Sequence, residues 1–238
     1  SHSLFCYIDV QKRQEVLGLV ESARCPQSIS NATQVQVSGN TIMMSNASDV
    51  EYTVLMDADA VAATIRSIAL AVANDNEDIQ SLVLLGILRR GKPLADRLAS
   101  HIEHVTGYRP PVGILSTTLY RDDLHAGGAG EAVNRRGETH FDFSVDGRTV
   151  LLVDDVLAAG RTIRAAMDEV MDYGRPRRIQ LACLIDRRCR ELPIQADYLG
   201  YDLVTKPEEW VCVRLQETDG EDAVLLHRRF IHSDDKGN

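Results

Sequence analysis

The sequence predicts an α/β fold with a mostly parallel central sheet flanked by helices. Three observations carry that prediction. Residues 150–153 (VLLV) form an unbroken apolar run, the pattern of a strand buried on both faces. Residues 81–87 (SLVLLGI) form a second such run. Each run leads, through a glycine-containing turn, into apolar residues at helical spacing. These are Leu94, Leu98, Ile102 and Val105 in one case, and Ile163, Met167, Val170 and Met171 in the other. Strand–helix–strand order makes neighbouring strands parallel through a right-handed crossover.

The 238 residues suffice for one ordinary domain plus an appendage, and 44% hydrophobic residues supply a sizeable core. A net charge of −9 gives generic nucleic-acid binding no support. Cys6, Cys25, Cys183, Cys189 and Cys212 are scattered and show no metal-ligand spacing, which predicts reduced thiols and a cytoplasmic location. No apolar run approaches the ~20 residues of a membrane span. No charged segment followed by an apolar core marks a leader.

In chain order, residues 1–50 read as an N-terminal extension, poorly ordered and rich in Asn, Ser and Gln from residue 27. Within it, residues 16–20 suit a short helix, and residues 34–44 alternate weakly around Gly39-Asn40. The domain spans residues 51–230. Asp57 is placed to cap a helix whose apolar face is Val61, Ile65, Ile68 and Val72. Gly107 and Pro110 end the helix that begins after the 81–87 strand. A third strand covers residues 112–119. Residues 125–148 are polar and glycine-rich without lasting period, the signature of a long flexible loop. A further strand covers 178–185. Residues 186–210 are irregular, with Pro193, Gly200 and Pro207, and a hairpin of 211–215 and 223–226 closes the fold. Residues 231–238 are a polar tail.

The chemistry concentrates in VLLVDDVLAAGRT, residues 150–162. A buried strand ends in Asp154 and Asp155, then a loop of small residues (Ala158, Ala159, Gly160), then Arg161 and Thr162 at a helix start. Ligands of open α/β sheets bind at the carboxyl ends of strands. Converging loop amides at a helix N-terminus receive an anion. Carboxylates repel phosphate but accept from sugar hydroxyls, or hold a divalent cation. A site with both suits a sugar phosphate. Two lesser signals accompany it. In GILRRG, residues 86–91, two glycines permit unusual backbone geometry beside Arg89 and Arg90, which can face a diphosphate. In YRDDL, residues 120–124, Arg121 closes a strand ahead of the mobile loop.

The 150–162 run resembles the 5-phosphoribosyl-1-diphosphate (PRPP) motif of type I phosphoribosyltransferases. With TLYRDDL, GRTIRAAMD, DYGRPRRIQLACLIDR and RELPIQADYLG, the resemblance narrows to the family of bifunctional pyrimidine-operon attenuation regulators and uracil phosphoribosyltransferases (PyrR). It extends over residues 54–228. It implies a type I phosphoribosyltransferase fold, with a small hood subdomain over the base and a loop that closes on PRPP. By position it implies that Asp154 and Asp155 hold the ribose hydroxyls, and Mg²⁺ indirectly through PRPP and water. Val156, Leu157, Ala158, Ala159, Gly160, Arg161 and Thr162 would cradle the 5′-phosphate. Leu88, Arg89, Arg90 and Gly91 would meet the diphosphate, joined by Arg121 and Asp122. Arg121 with the two aspartates would be the catalytic set, and backbone groups near Arg187 and Leu199 would recognise uracil.

Departures from the family pattern modify these expectations. The phosphate loop carries Ala158-Ala159 where the family usually has Tyr-Thr, which removes a hydroxyl donor and weakens PRPP binding by about 1–3 kcal/mol. The hood carries Arg188 for a usual Gly, Cys189 for His, Gln195 for Arg and Tyr201 for Lys. The lost basic groups weaken any RNA surface. The expected function is therefore uracil phosphoribosyltransferase in pyrimidine salvage. It converts uracil and PRPP to UMP and diphosphate with Mg²⁺ as cofactor, in a homo-oligomer. The alternatives are an RNA-binding attenuation regulator with residual activity and a nucleotide sensor without turnover.

Overall fold

A computed structural model describes residues 32–37, 40–45, 50–117 and 139–229. The described residues form two five-stranded sheets with flanking helices. The first is wholly parallel, in the order β5-β4-β6-β7-β8. Its strands are β4 (Leu82–Ile87), β5 (Val112–Leu115), β6 (Thr149–Leu157), β7 (Arg178–Asp186) and β8 (Tyr198–Asp202). The second is antiparallel, in the order β1-β2-β3-β10-β9. It contains β1 (Ala32–Val37), β2 (Asn40–Ser45), β3 (Val50–Met56), β9 (Glu209–Arg214) and β10 (Ala223–Arg229). The helices are α1 (Ala58–Asp75), α2 (Gly91–Thr106), α3 (Arg161–Tyr173) and a short turn, α4 (Gln216–Asp219).

The apolar run of β6 divides between two cores because successive side chains point to opposite faces. Leu151 and Val153 join α1 and α2 in one core, with Val61, Ile65, Leu94 and Leu98. Val150 and Leu152 join α3 in the other, with Ile163, Ala166 and Val170. Met56, Val213 and Val224 of the antiparallel sheet enter the first core, with Leu215 just after β9. The Asp57 carboxylate accepts from the Ala60 amide at 2.9 Å, so the predicted cap starts α1. Such a cap is worth about 1 kcal/mol.

Several expectations change. Val105 and Met171 keep the helical period yet are exposed, each on the last turn of its helix. The 186–210 stretch, read as irregular, contains β8, which adds a fifth parallel strand beside β7. Its Gly200 reads as a break in sequence. In space it permits close packing, since a Cβ there would lie 2.5 Å from the Thr64 methyl of α1 and 2.6 Å from the Leu184 carbonyl. The third strand is four residues long; its predicted end, residues 118–119, lies outside the described residues. So do the 16–20 helix, most of the long loop and the 231–238 tail.

The extension read as poorly ordered contributes β1 and β2. Their register sets Met43 opposite Tyr52 and Gln34 opposite Met43, so the sheet runs across the boundary drawn at residue 51. A chain beginning at Glu51 would expose the backbone edge of β3. We expect it to retain a cooperative transition from the parallel sheet and its helices, melt a few degrees lower, and self-associate more. Calorimetry with sedimentation checks this. Loss of the transition would put β1 and β2 inside the folding unit.

Among the described residues, no helix is long and apolar enough to cross a membrane.

Candidate active site

The acid pair ends β6 in the middle of the parallel sheet. Register sets Gly86 of β4 beside Val153, so the turn after β4 runs alongside Asp154 and Asp155. Asp154 is buried at 7% exposure and Asp155 is half-buried. The Asp155 amide donates to Asp154 Oδ1 at 3.0 Å, and the Val156 amide to Asp155 Oδ1 at 2.9 Å. Burial pushes the Asp155 carboxyl above its usual range, against the hydrogen bond with Asp154 and the nearby Arg90 charge. Two adjacent carboxyls in a largely dry site resist double ionisation. Sugar hydroxyls donate to such a pair and favour its charged form.

The turn from β4 to α2 needs its two glycines for contact. Neither has positive φ. A Cβ on Gly91 would lie 2.3 Å from the Val153 carbonyl oxygen, and one on Gly86 2.5 Å from the Gly91 oxygen. The turn therefore presses directly on the strand that carries the acids. The Leu88–Arg89 peptide is cis. Arg89 is exposed. Arg90 donates to Asp219 from Nε at 3.1 Å and from Nη2 at 2.9 Å. That contact holds the Asp219 carboxyl far below the usual carboxylate range. Asp219 belongs to α4, and with 129 residues between the partners no local sequence pattern marks it. Arg97 is gripped likewise by Glu217 and Asp222, so α4 and its flank fasten the start of α2.

On the other side of the pair, the loop turns at Gly160, whose φ of 92° is the left-handed conformation glycine favours. Helix α3 starts at Arg161, so the first amides of α3 have no acceptor within the helix. Arg161 pairs with Glu191 at 2.6 Å. Thr162 is half-buried on the first turn. Acid pair, β4–α2 turn and small-residue loop thus meet at the carboxyl ends of β4 and β6.

Residues 51–217 match the phosphoribosyl transferase domain family. The chain is 51% identical over 172 residues to the Bifunctional protein PyrR of Pelotomaculum thermopropionicum, covering 72% of this chain and 93% of that protein. It is 45% identical over 177 residues to the Bifunctional protein PyrR of Clostridioides difficile, covering 74% and 98%. The chain belongs to the PyrR family of phosphoribosyltransferases. Its fold is shared with the hypoxanthine phosphoribosyltransferase of Trypanosoma cruzi at a TM-score of 0.55 and 18% identity, over 74% of this chain and 90% of that one. A hypoxanthine-guanine phosphoribosyltransferase from Bacillus anthracis gives 0.53 at 16% identity, over 74% and 96%.

The remaining positions implied by the PyrR resemblance behave differently from one another. Arg121 and Asp122 lie outside the described residues. The Arg187 side chain donates to Thr205 Oγ1 at 3.2 Å and to the Glu209 carbonyl at 2.8 Å. Leu199 lies in β8 opposite Cys183 and packs partly against the α3-side core. Arg188, at the usual glycine position, adopts a φ of 55°. That conformation costs a side-chain-bearing residue roughly 1–2 kcal/mol. Its two-point pair with Asp202, 2.6 Å at each contact, offsets part of this.

Proposed function

We propose that this phosphoribosyltransferase transfers the 5-phosphoribosyl group of PRPP to uracil, giving UMP and diphosphate. The observation that supports this most is the meeting of the acid pair with two turns at one sheet edge. One turn offers amides and the other arginines. Asp154 and Asp155 accept from the ribose hydroxyls. The 156–162 segment receives the 5′-phosphate. The 88–91 turn receives the diphosphate, with Arg90 close enough to Asp155 to bias its charge. Arg121 and Asp122 complete the diphosphate end, and backbone near Arg187 and Leu199 faces the base. Positioning and charge stabilisation carry the catalysis.

Among the described residues, no group of three or more His, Cys, Asp or Glu is arranged to hold a metal ion. Two carboxylates suit Mg²⁺ held through water and substrate oxygens rather than in a protein cage. The ion would neutralise the departing diphosphate. A panel of uracil, orotate, hypoxanthine and adenine with PRPP and Mg²⁺ tests the reading. Turnover is expected with uracil alone; preference for another base would replace the substrate assignment.

The word "bifunctional" in the relatives' names keeps a second, RNA-binding reading in view. The hood arginines argue against it here. Arg187 is bound internally, Arg188 is neutralised by Asp202, and Arg190 is paired with Asp186. We expect an attenuator hairpin to bind no better than a scrambled RNA in filter binding at physiological salt. Nanomolar, UMP-enhanced preference for the hairpin would make the regulator reading the primary one.

A further inference from the structure

Three successive carbonyls of the small-residue loop are held from one side, by residues 187–192. The Leu157 oxygen accepts from the Arg187 amide at 2.9 Å and from Arg190 Nη1 at 3.4 Å. The Ala158 oxygen accepts from Arg190 Nη1 at 2.7 Å. The Ala159 oxygen accepts from the amides of Glu191 and Leu192 at 3.0 and 3.1 Å. A peptide unit is planar and trans, so its N–H points opposite to its C=O. Fixing these three carbonyls fixes the amides of Ala158, Ala159 and Gly160 on the far side. The Leu157 carbonyl accepts from the residue that follows β7, so the Ala158 amide points away from β7.

We propose that Arg190 is a positioning residue for the 5′-phosphate: it holds the Ala158–Ala159 peptide so that its amide, not its carbonyl, faces the anion. This rests on the phosphoribosyl-transfer reading above. A loop of alanine and glycine has little of its own to prevent a peptide flip, and a flip would present an oxygen to the phosphate. Ala158 and Ala159 also offer no side-chain donor, so at these two positions peptide direction carries the interaction. Arg190 can do this because its guanidinium is itself immobile. Nε donates to the Ile194 carbonyl at 2.7 Å, and Nη2 meets Asp186, which is 2% exposed. Asp186 in turn accepts from the Arg188 amide at 2.7 Å. The rigid fork reaches the carboxylate, the segment ending at Ile194 and the phosphate loop together, which a lysine ammonium cannot.

The test uses the full chain with Arg190→Met and Arg190→Lys; the lysine keeps a charge beside Asp186 if the methionine variant folds poorly. Calorimetry measures ribose 5-phosphate, which probes the loop, and inorganic diphosphate, which probes the 88–91 turn. Ribose 5-phosphate affinity is expected to fall roughly tenfold or more in both variants, with diphosphate affinity unchanged. The KM for PRPP should rise more than kcat falls. Undiminished ribose 5-phosphate binding overturns the proposal, and so does an equal loss of both ligands, which would mark Arg190 as a general support. A wild-type chain that binds neither ligand overturns the phosphoribosyl-transfer reading, and this proposal with it.

Discussion

Asp155→Asn is expected to keep the fold and to weaken PRPP binding on the order of 100-fold. Asparagine preserves shape and one acceptor oxygen but removes the charge that draws donor hydroxyls. Calorimetric titration with PRPP and Mg²⁺ measures the loss, and unchanged affinity would remove Asp155 from the ribose site. Stability should move the other way. The Asp155 carboxyl is raised by burial in the folded state. A raised carboxyl favours folding below its ordinary pKa, and that contribution is lost as pH rises through the raised value. At neutral pH the ionised form therefore works against the fold, and a neutral asparagine does not. The variant should melt at or above the wild-type temperature at pH 7, with the difference vanishing in acid. PRPP affinity of the wild type should rise with pH through the same titration. Lower affinity without lower stability separates a binding role from a structural one.

Much of this architecture was legible because its signals are local. The β6 run is apolar throughout since both its faces are covered, and that needs no knowledge of what covers them. Asp57 announces α1 by the hydrogen bond it makes three residues on. The acid pair and small loop are contiguous, so their order alone places them at a strand end. The unread parts depend on distant partners. β8 is hidden by Gly200, whose reason is the approach of α1 from more than a hundred residues away. In sequence Arg90 is a charge free to face a diphosphate, and Arg190 is one basic residue among several in the hood. Their fixed positions come from Asp219 and from the loop carbonyls, neither adjacent in sequence. The glycines of GILRRG suggest conformational freedom in sequence, whereas the structure uses their missing side chains.

That last distinction yields the largest stability effect expected in the molecule, from Gly91→Ala. The added Cβ would sit 2.3 Å from the Val153 carbonyl oxygen and 3.2 Å from the Gly86 carbonyl carbon. Both obstacles are backbone, and Val153 is held between β4 and β7 by the parallel ladder. No side-chain rotation relieves the clash, so the start of α2 must move off β6. Overpacking of this kind costs about 3 kcal/mol or more, equivalent to roughly 6–12 °C in Tm for a domain of this size. The movement also draws the 88–91 turn away from Asp154 and Asp155, so diphosphate affinity should fall with stability. Gly107→Ala is the control. Gly107 ends α2 with a φ of 75°, but nothing lies within 4 Å of the added methyl. Its cost is conformational, about 1 kcal/mol, and ligand binding should not change. Thermal melts of the two variants with diphosphate titration decide the matter. If Gly91→Ala is no worse than Gly107→Ala, the close approach of α2 to β6 is not what this glycine serves.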